Sequence, residues 1–142
     1  MYLGGHHMNR KPTILYYDHG QEEKRKLLEK GVSRMGFSLI PVLPIQFPQT
    51  VGYLAKVKGF PTRKVSPLEI PPAISQEVMV LCYFSEKNLD MLLTAMKNEV
   101  LPQVALKAIL TPQNSFWTFS QLFLELMEEH QKFHAEESNS ER

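Results

Sequence analysis

Four short apolar, β-prone runs alternate with stretches of helical spacing, and this alternation constrains the 142-residue chain more than any other feature. The runs are Thr13–Tyr17, Phe37–Leu43, Glu77–Phe84 and Val104–Leu110. The third, E-V-M-V-L-C-Y-F, is apolar at every position from Val78 onward, as expected of a strand covered on both faces. Leu27, Leu28, Val32 and Met35 recur at helical spacing after the first run, and Leu89, Leu92, Leu93 and Met96 after the third. The resulting β-α-β-α-β-α-β-α order predicts a small three-layer α/β domain, Rossmann- or flavodoxin-like. Its four-stranded, mainly parallel sheet would have the order 2-1-3-4, with helices on both faces.

Local signals place the boundaries. Asp18 followed by Gln21 reads as a helix start, and Gly36 as a left-handed stop. Pro41 marks an edge strand or an early finish. Gln49–Lys58 fits a short helix. Residues 59–73 contain Pro61, Pro67, Pro71 and Pro72, a density that leaves only an extended loop. Ser85 caps the next helix. Thr118 and Gln121 form a T-x-x-Q capping box that opens the last one, Phe119 to about Phe133. The expected organisation is a flexible tail over 1–11, one α/β domain over 12–134, and a disordered polar tail over 135–142. No internal repeat or linker is visible.

Composition removes several functions. The formal net charge of +1 provides no global field for nucleic acid or acidic lipid. Cys82 is the single cysteine, so neither an internal disulfide nor a cysteine-based zinc site can form. No apolar run approaches the roughly 20 residues that span a bilayer, and the N-terminus lacks the apolar core of a secretion signal. A cytoplasmic, reducing setting is the expectation, with no cofactor.

In an open parallel sheet every strand ends on the same side, and three loops would converge there: Asp18-His19-Gly20, Ser85-Glu86-Lys87 and Thr111-Pro112-Gln113-Asn114. Asp18 and His19 offer a carboxylate and an imidazole for acid–base work, against the plainer reading of a helix cap beside an exposed histidine. Lys107 lies in an apolar strand, either guarding a sheet edge or reaching toward Thr111 and Asn114 to hold an anion. Trp117 precedes the capping box, placed to pack on Leu122 as a hydrophobic staple or to stack on a ligand.

His130 and His134 are one helical turn apart, a metal-compatible spacing, but Gln131 stands where a metalloprotease needs its glutamate. A frayed tail explains His6 and His7 better than metal binding does. Lys56, Lys58, Arg63 and Lys64, with Tyr53 and Phe60 nearby, form the one basic cluster with interleaved aromatics. A solvated surface explains it better than nucleic acid does.

The runs S-E-K-N-L-D-M-L-L-T-A-M-K, L-K-A-I-L-T-P-Q-N, W-T-F-S-Q-L and E-L-M-E-E-H, with V-G-Y-L at Val51–Leu54, resemble a family of small bacterial proteins known as a domain of unknown function. The resemblance covers mainly Val78–His130. It puts Lys107, Thr111, Asn114, Trp117 and Glu125 on motif positions and implies no activity or cofactor.

The functional expectation is a non-enzymatic cytoplasmic binding or regulatory module. It would take a small anionic ligand or a protein partner, through the strand-end face (Asp18, Ser85, Lys107, Thr111, Asn114) or the proline-rich loop. A small hydrolase or transferase using Asp18 and His19 is the enzymatic alternative. A structural homodimer is the third reading.

Overall fold

The computed structural model describes residues 10–140, with side chains described as far as Lys132. The dihistidine at His6 and His7 and the side chain of His134 therefore lie outside the described residues. The elements are β1 (Thr13–Tyr17), α1 (Glu22–Arg34), β2 (Ser38–Pro41), α2 (Val51–Leu54), β3 (Val78–Cys82), α3 (Glu86–Lys97), β4 (Lys107–Ile109) and α4 (Phe119–Ser140). Short 3-10 turns precede α2 and α4 at Pro44–Gln46 and Asn114–Phe116.

The sheet order is β2-β1-β3-β4, as the alternation predicts. Two of its three pairings are parallel, β1 with β2 and β3 with β4. The central pairing differs: β1 and β3 run antiparallel, with Thr13 opposite Cys82 and Tyr17 opposite Val78. The sheet is thus mixed, made of two β-α-β units laid head to tail. The connection from β2 to β3 contains a single α-helix of four residues, and the chain re-enters the sheet at the end it left.

Both faces are covered. Leu28 and Val32 of α1 and Leu92 and Met96 of α3 pack on Ile14, Tyr16, Leu39, Met79 and Leu81. On the other face Val51 and Leu54 of α2 and Phe119, Leu122 and Phe123 of α4 cover Leu15, Val78, Val80 and Cys82. Each of those strand residues is buried, so the core alternates from face to face with the pleat.

The caps follow the local chemistry. Ser85 Oγ accepts the Asn88 N–H at 3.1 Å. Thr118 and Gln121 exchange the two bonds of a capping box, at 3.1 and 2.9 Å. Gly36 takes φ +87° beyond α1. The last helix continues past its expected end to Ser140, because Ala135, Glu136 and Glu137 are strong helix formers. No helix among the described residues is long and apolar enough to cross a membrane.

Candidate functional site

Because β3 and β4 run against β1, the carboxyl end of β1 meets the amino ends of β3 and β4. Asp18 and Glu77 are therefore neighbours, each one residue beyond the registered pair Tyr17–Val78. Tyr16, Met79 and Lys107 form the next cross-strand row. The first turns of α1 lie over this end of the sheet. Lys24 is one helical turn before buried Leu28, so the face that reaches the core also carries Lys24 to the sheet end.

The result is a row of polar groups at this end of the sheet. Glu77 Oε1 accepts the Tyr16 hydroxyl at 2.5 Å, and Oε2 accepts Lys24 Nζ at 2.6 Å. Asp18 Oδ2 accepts Arg25 Nε at 3.0 Å, and Oδ1 accepts the Gly20 N–H at 2.8 Å. Lys107 Nζ donates to the Val104 carbonyl, and among the described residues no carboxylate lies within ion-pair distance of it. Burial holds the Lys107 ammonium below its ordinary pKa, and the Glu77 charge works the other way. Burial, the hydrogen bond to Glu77 and the Glu77 charge all push the Tyr16 phenol well above its ordinary value.

Sequence reasoning placed Asp18 and Lys107 together, and the fold brings them to one end of the sheet. It missed Tyr16, Lys24, Arg25 and Glu77. The run from Glu22 to Lys26 reads as mixed-sign surface pairing, and Lys26 does pair with Glu22 and Glu23 at 3.4 and 3.8 Å. Lys24 and Arg25 turn inward instead. The available signal was their spacing of four and three residues from Leu28.

The other expected members go elsewhere. Ser85, Thr111 and Asn114 follow the carboxyl ends of β3 and β4, which lie at the opposite end of the sheet. The three loops do not converge, since that geometry requires all strands to be parallel. Asn114 is buried and fully engaged: its Oδ1 accepts the Thr111 N–H at 2.8 Å and its Nδ2 donates to the Ile109 carbonyl at 2.9 Å. Lys107, bonded back toward Val104, does not reach toward this pair. Trp117 packs on the apolar cluster that includes Leu122, and its carbonyl accepts the Val51 N–H at 2.8 Å. His19 is exposed at φ +50° and stacks edge-on to Tyr17 at 5.9 Å, with no hydrogen bond to Asp18. Of the basic cluster, Arg63 lines one groove and Lys56 another, while Lys58 and Lys64 line neither. Among the described residues no group of three or more His, Cys, Asp or Glu is placed to hold a metal.

A second surface feature surrounds the proline-rich segment. An open groove of about 480 Å³ is lined by Pro44, Ile45, Pro48, Val65, Pro67 and Pro71, among others. Arg63 fastens the segment to the domain. Its N–H and carbonyl bond the Gln49 side-chain amide at 2.8 and 3.0 Å. Its guanidinium grips Glu69 at 2.7 and 3.1 Å.

Residues 77–133 match the family described as Domain of unknown function (DUF3783). The matched segment holds Glu77, Lys107, Asn114 and Trp117, while Tyr16, Asp18, Lys24, Arg25 and Arg63 precede it. Comparison with the curated proteins and with the solved structures finds no match to the chain.

Proposed function

We propose that this chain is a non-catalytic binding module that docks an apolar surface of a protein partner over its proline-rich segment. The observation that carries the reading is where the apolar exposure falls. Ile45, Leu68 and Ile70, at 82, 90 and 89%, are the most exposed large apolar side chains among the described residues. All three belong to the groove or to the segment that forms it. Large apolar side chains exposed around one groove suit an interaction site.

Two further features support the reading. The Arg63 clamp orders the segment before any partner arrives, which lowers the entropy cost of association. Arg63 and Glu69 also cancel each other's charge, so an uncharged face suits this groove. The enzymatic alternative draws less support, since Asp18 is engaged by Arg25 and Gly20 rather than by His19. A cytoplasmic, reducing setting fits the single buried thiol, Cys82.

The test is a double variant, Leu68→Asp with Ile70→Asp, at positions whose exposure keeps the stability change within about 0.5 kcal/mol. A partner captured by the wild type and then purified should bind the double variant at least about tenfold more weakly, a loss of some 1.4 kcal/mol. Equal affinity for both proteins would end the reading. Sedimentation at rising concentration identifies the case in which the partner is a second copy.

A further inference from the structure

A cleft of about 320 Å³ lies between the edge strand β2 and helix α2, within the usual range of small-molecule sites. Its apolar wall comes from Leu15, Ile40, Val42 and Leu54, with Gln46, Tyr53 and Lys56 completing the polar part of the lining. Tyr53 and Leu54 of the four-residue α2 line it opposite Leu15 of β1 and Ile40 of β2.

The way α2 stops determines the chemistry at the mouth. Val57 N–H returns to the Gly52 carbonyl at 2.8 Å and Lys56 N–H to the Tyr53 carbonyl at 3.0 Å. In that two-bond closure the position held by Lys56 is left-handed and is ordinarily glycine; α1 ends the same way on Gly36. Lys56 is held at φ +60°. The carbonyls that would repel an anion there already have donors. Arg10 donates to the Lys56 carbonyl at 2.9 Å and the Tyr83 hydroxyl to the Ala55 carbonyl at 2.7 Å. Gln46 uses its side-chain oxygen on the Leu43 N–H at 2.9 Å, which leaves its amide nitrogen for a ligand. Among the described residues Lys56 is the only charged one lining the cleft, and no carboxylate lines it.

We propose that this cleft binds a small apolar carboxylate, with its alkyl or aryl body on Leu15, Ile40, Val42 and Leu54 and its carboxylate on Lys56. One ammonium supported by two neutral groups, the Tyr53 hydroxyl and the Gln46 amide, suits a monoanion. The apolar wall supplies affinity roughly in proportion to the area it covers.

The experiment titrates the purified chain with octanoate, and with octanol as the uncharged probe, while following its methyl NMR signals. Octanoate should shift the Ile40, Val42 and Leu54 methyls, and octanol should bind about tenfold more weakly. Lys56→Gly relaxes the left-handed backbone, so the variant should fold at least as well as the wild type. It should nevertheless lose about tenfold in octanoate affinity. Absence of binding at millimolar octanoate, shifts confined to other methyls, or unchanged affinity for octanol or for Lys56→Gly would each overturn the proposal.

Discussion

The Tyr16 hydroxyl donates to Glu77 across the antiparallel junction of β1 and β3, at 2.5 Å. The bond joins the two β-α-β units where they meet head to tail, and Lys24 from α1 closes it on the other carboxylate oxygen. A hydrogen bond to a charged acceptor contributes about 1.5–3 kcal/mol. Tyr16→Phe should therefore cost about 2 kcal/mol in urea unfolding. Glu77→Ala should cost more, about 3 kcal/mol, because it leaves the phenol unsatisfied and Lys24 without its carboxylate. If Tyr16→Phe proves as mild as a surface substitution, the polar row does not hold the units together.

Alkaline pH should weaken the fold. Burial pushes the Cys82 thiol from 9.0 up to about 12, and burial together with Glu77 pushes the Tyr16 phenol above its ordinary 10.0. Both groups remain protonated in the fold at pH values where the unfolded chain has ionised. Their contributions are complete below about pH 9 and are lost as pH rises, by up to roughly 1.4 kcal/mol per pH unit per group. Lys107 acts in the opposite sense. Its ammonium is disfavoured in the fold, so that cost fades as pH rises through its depressed value toward 10.5. Urea midpoints measured from about pH 8 to 11 should fall for the wild type, and fall less steeply for Tyr16→Phe and for Cys82→Ala. A flat wild-type profile would contradict this account.

The placement of elements was legible in the sequence because apolar spacing reports burial, and burial is what the layers share. Strand direction was not legible. Val78–Cys82 is apolar on both faces and reads the same in either orientation. The mainly parallel sheet and its order follow from the alternation, but nothing in it marks the one antiparallel pairing; the helix expected over Gln49–Lys58 is also shorter, Val51–Leu54. The left-handed turn at Lys56 ends it after Leu54, and no glycine announces that turn. With β3 reversed, the Asp18 and Ser85 loops moved to opposite ends of the sheet. Lys107 shares an end of the sheet with Asp18, beside Lys24 and Arg25, which read as helix surface, and Tyr16 and Glu77, which read as strand.

Gly31 lies in the middle of α1, where alanine has the better helix propensity by about 1 kcal/mol. A Cβ there would overlap the side chain of Leu101, which is buried against the same face of the sheet. Gly31→Ala should therefore destabilise the domain by about 1–3 kcal/mol despite its propensity. Gly31→Ala combined with Leu101→Ala should recover part of that loss relative to Leu101→Ala alone. A stabilising Gly31→Ala would show that Leu101 yields without cost.

Arg63 orders the proline-rich segment through Gln49, Pro48 and Glu69. Arg63→Ala removes the guanidinium bonds and keeps the backbone pair with Gln49. Limited proteolysis should then cut within residues 64–73 at least about tenfold faster, since local opening there would need less free energy. The global urea midpoint should hardly move, because the segment contributes few buried side chains. Partner binding at Leu68 and Ile70 should weaken in parallel with the faster cleavage. Unchanged cleavage would mean that the prolines alone order the segment.

Helix α3 ends on Glu99 at φ +60°, with Val100 N–H bonded to the Ala95 carbonyl and Glu99 N–H to the Met96 carbonyl. Gly36 fills the equivalent position after α1 at φ +87°. A side chain costs about 1–2 kcal/mol in this conformation, while glycine loses about 0.5–1 kcal/mol through its freer unfolded state. Glu99→Gly should thus raise stability by about 0.5–1 kcal/mol, and Gly36→Ala should lower it by a similar amount. Nothing lies within 4 Å of a Cβ added at Gly36, so the second effect would report backbone strain alone. Thermal unfolding of the two variants measures the same backbone conformation from opposite sides. Shifts of the same sign would show that contacts around Glu99, rather than its left-handed backbone, decide how α3 ends.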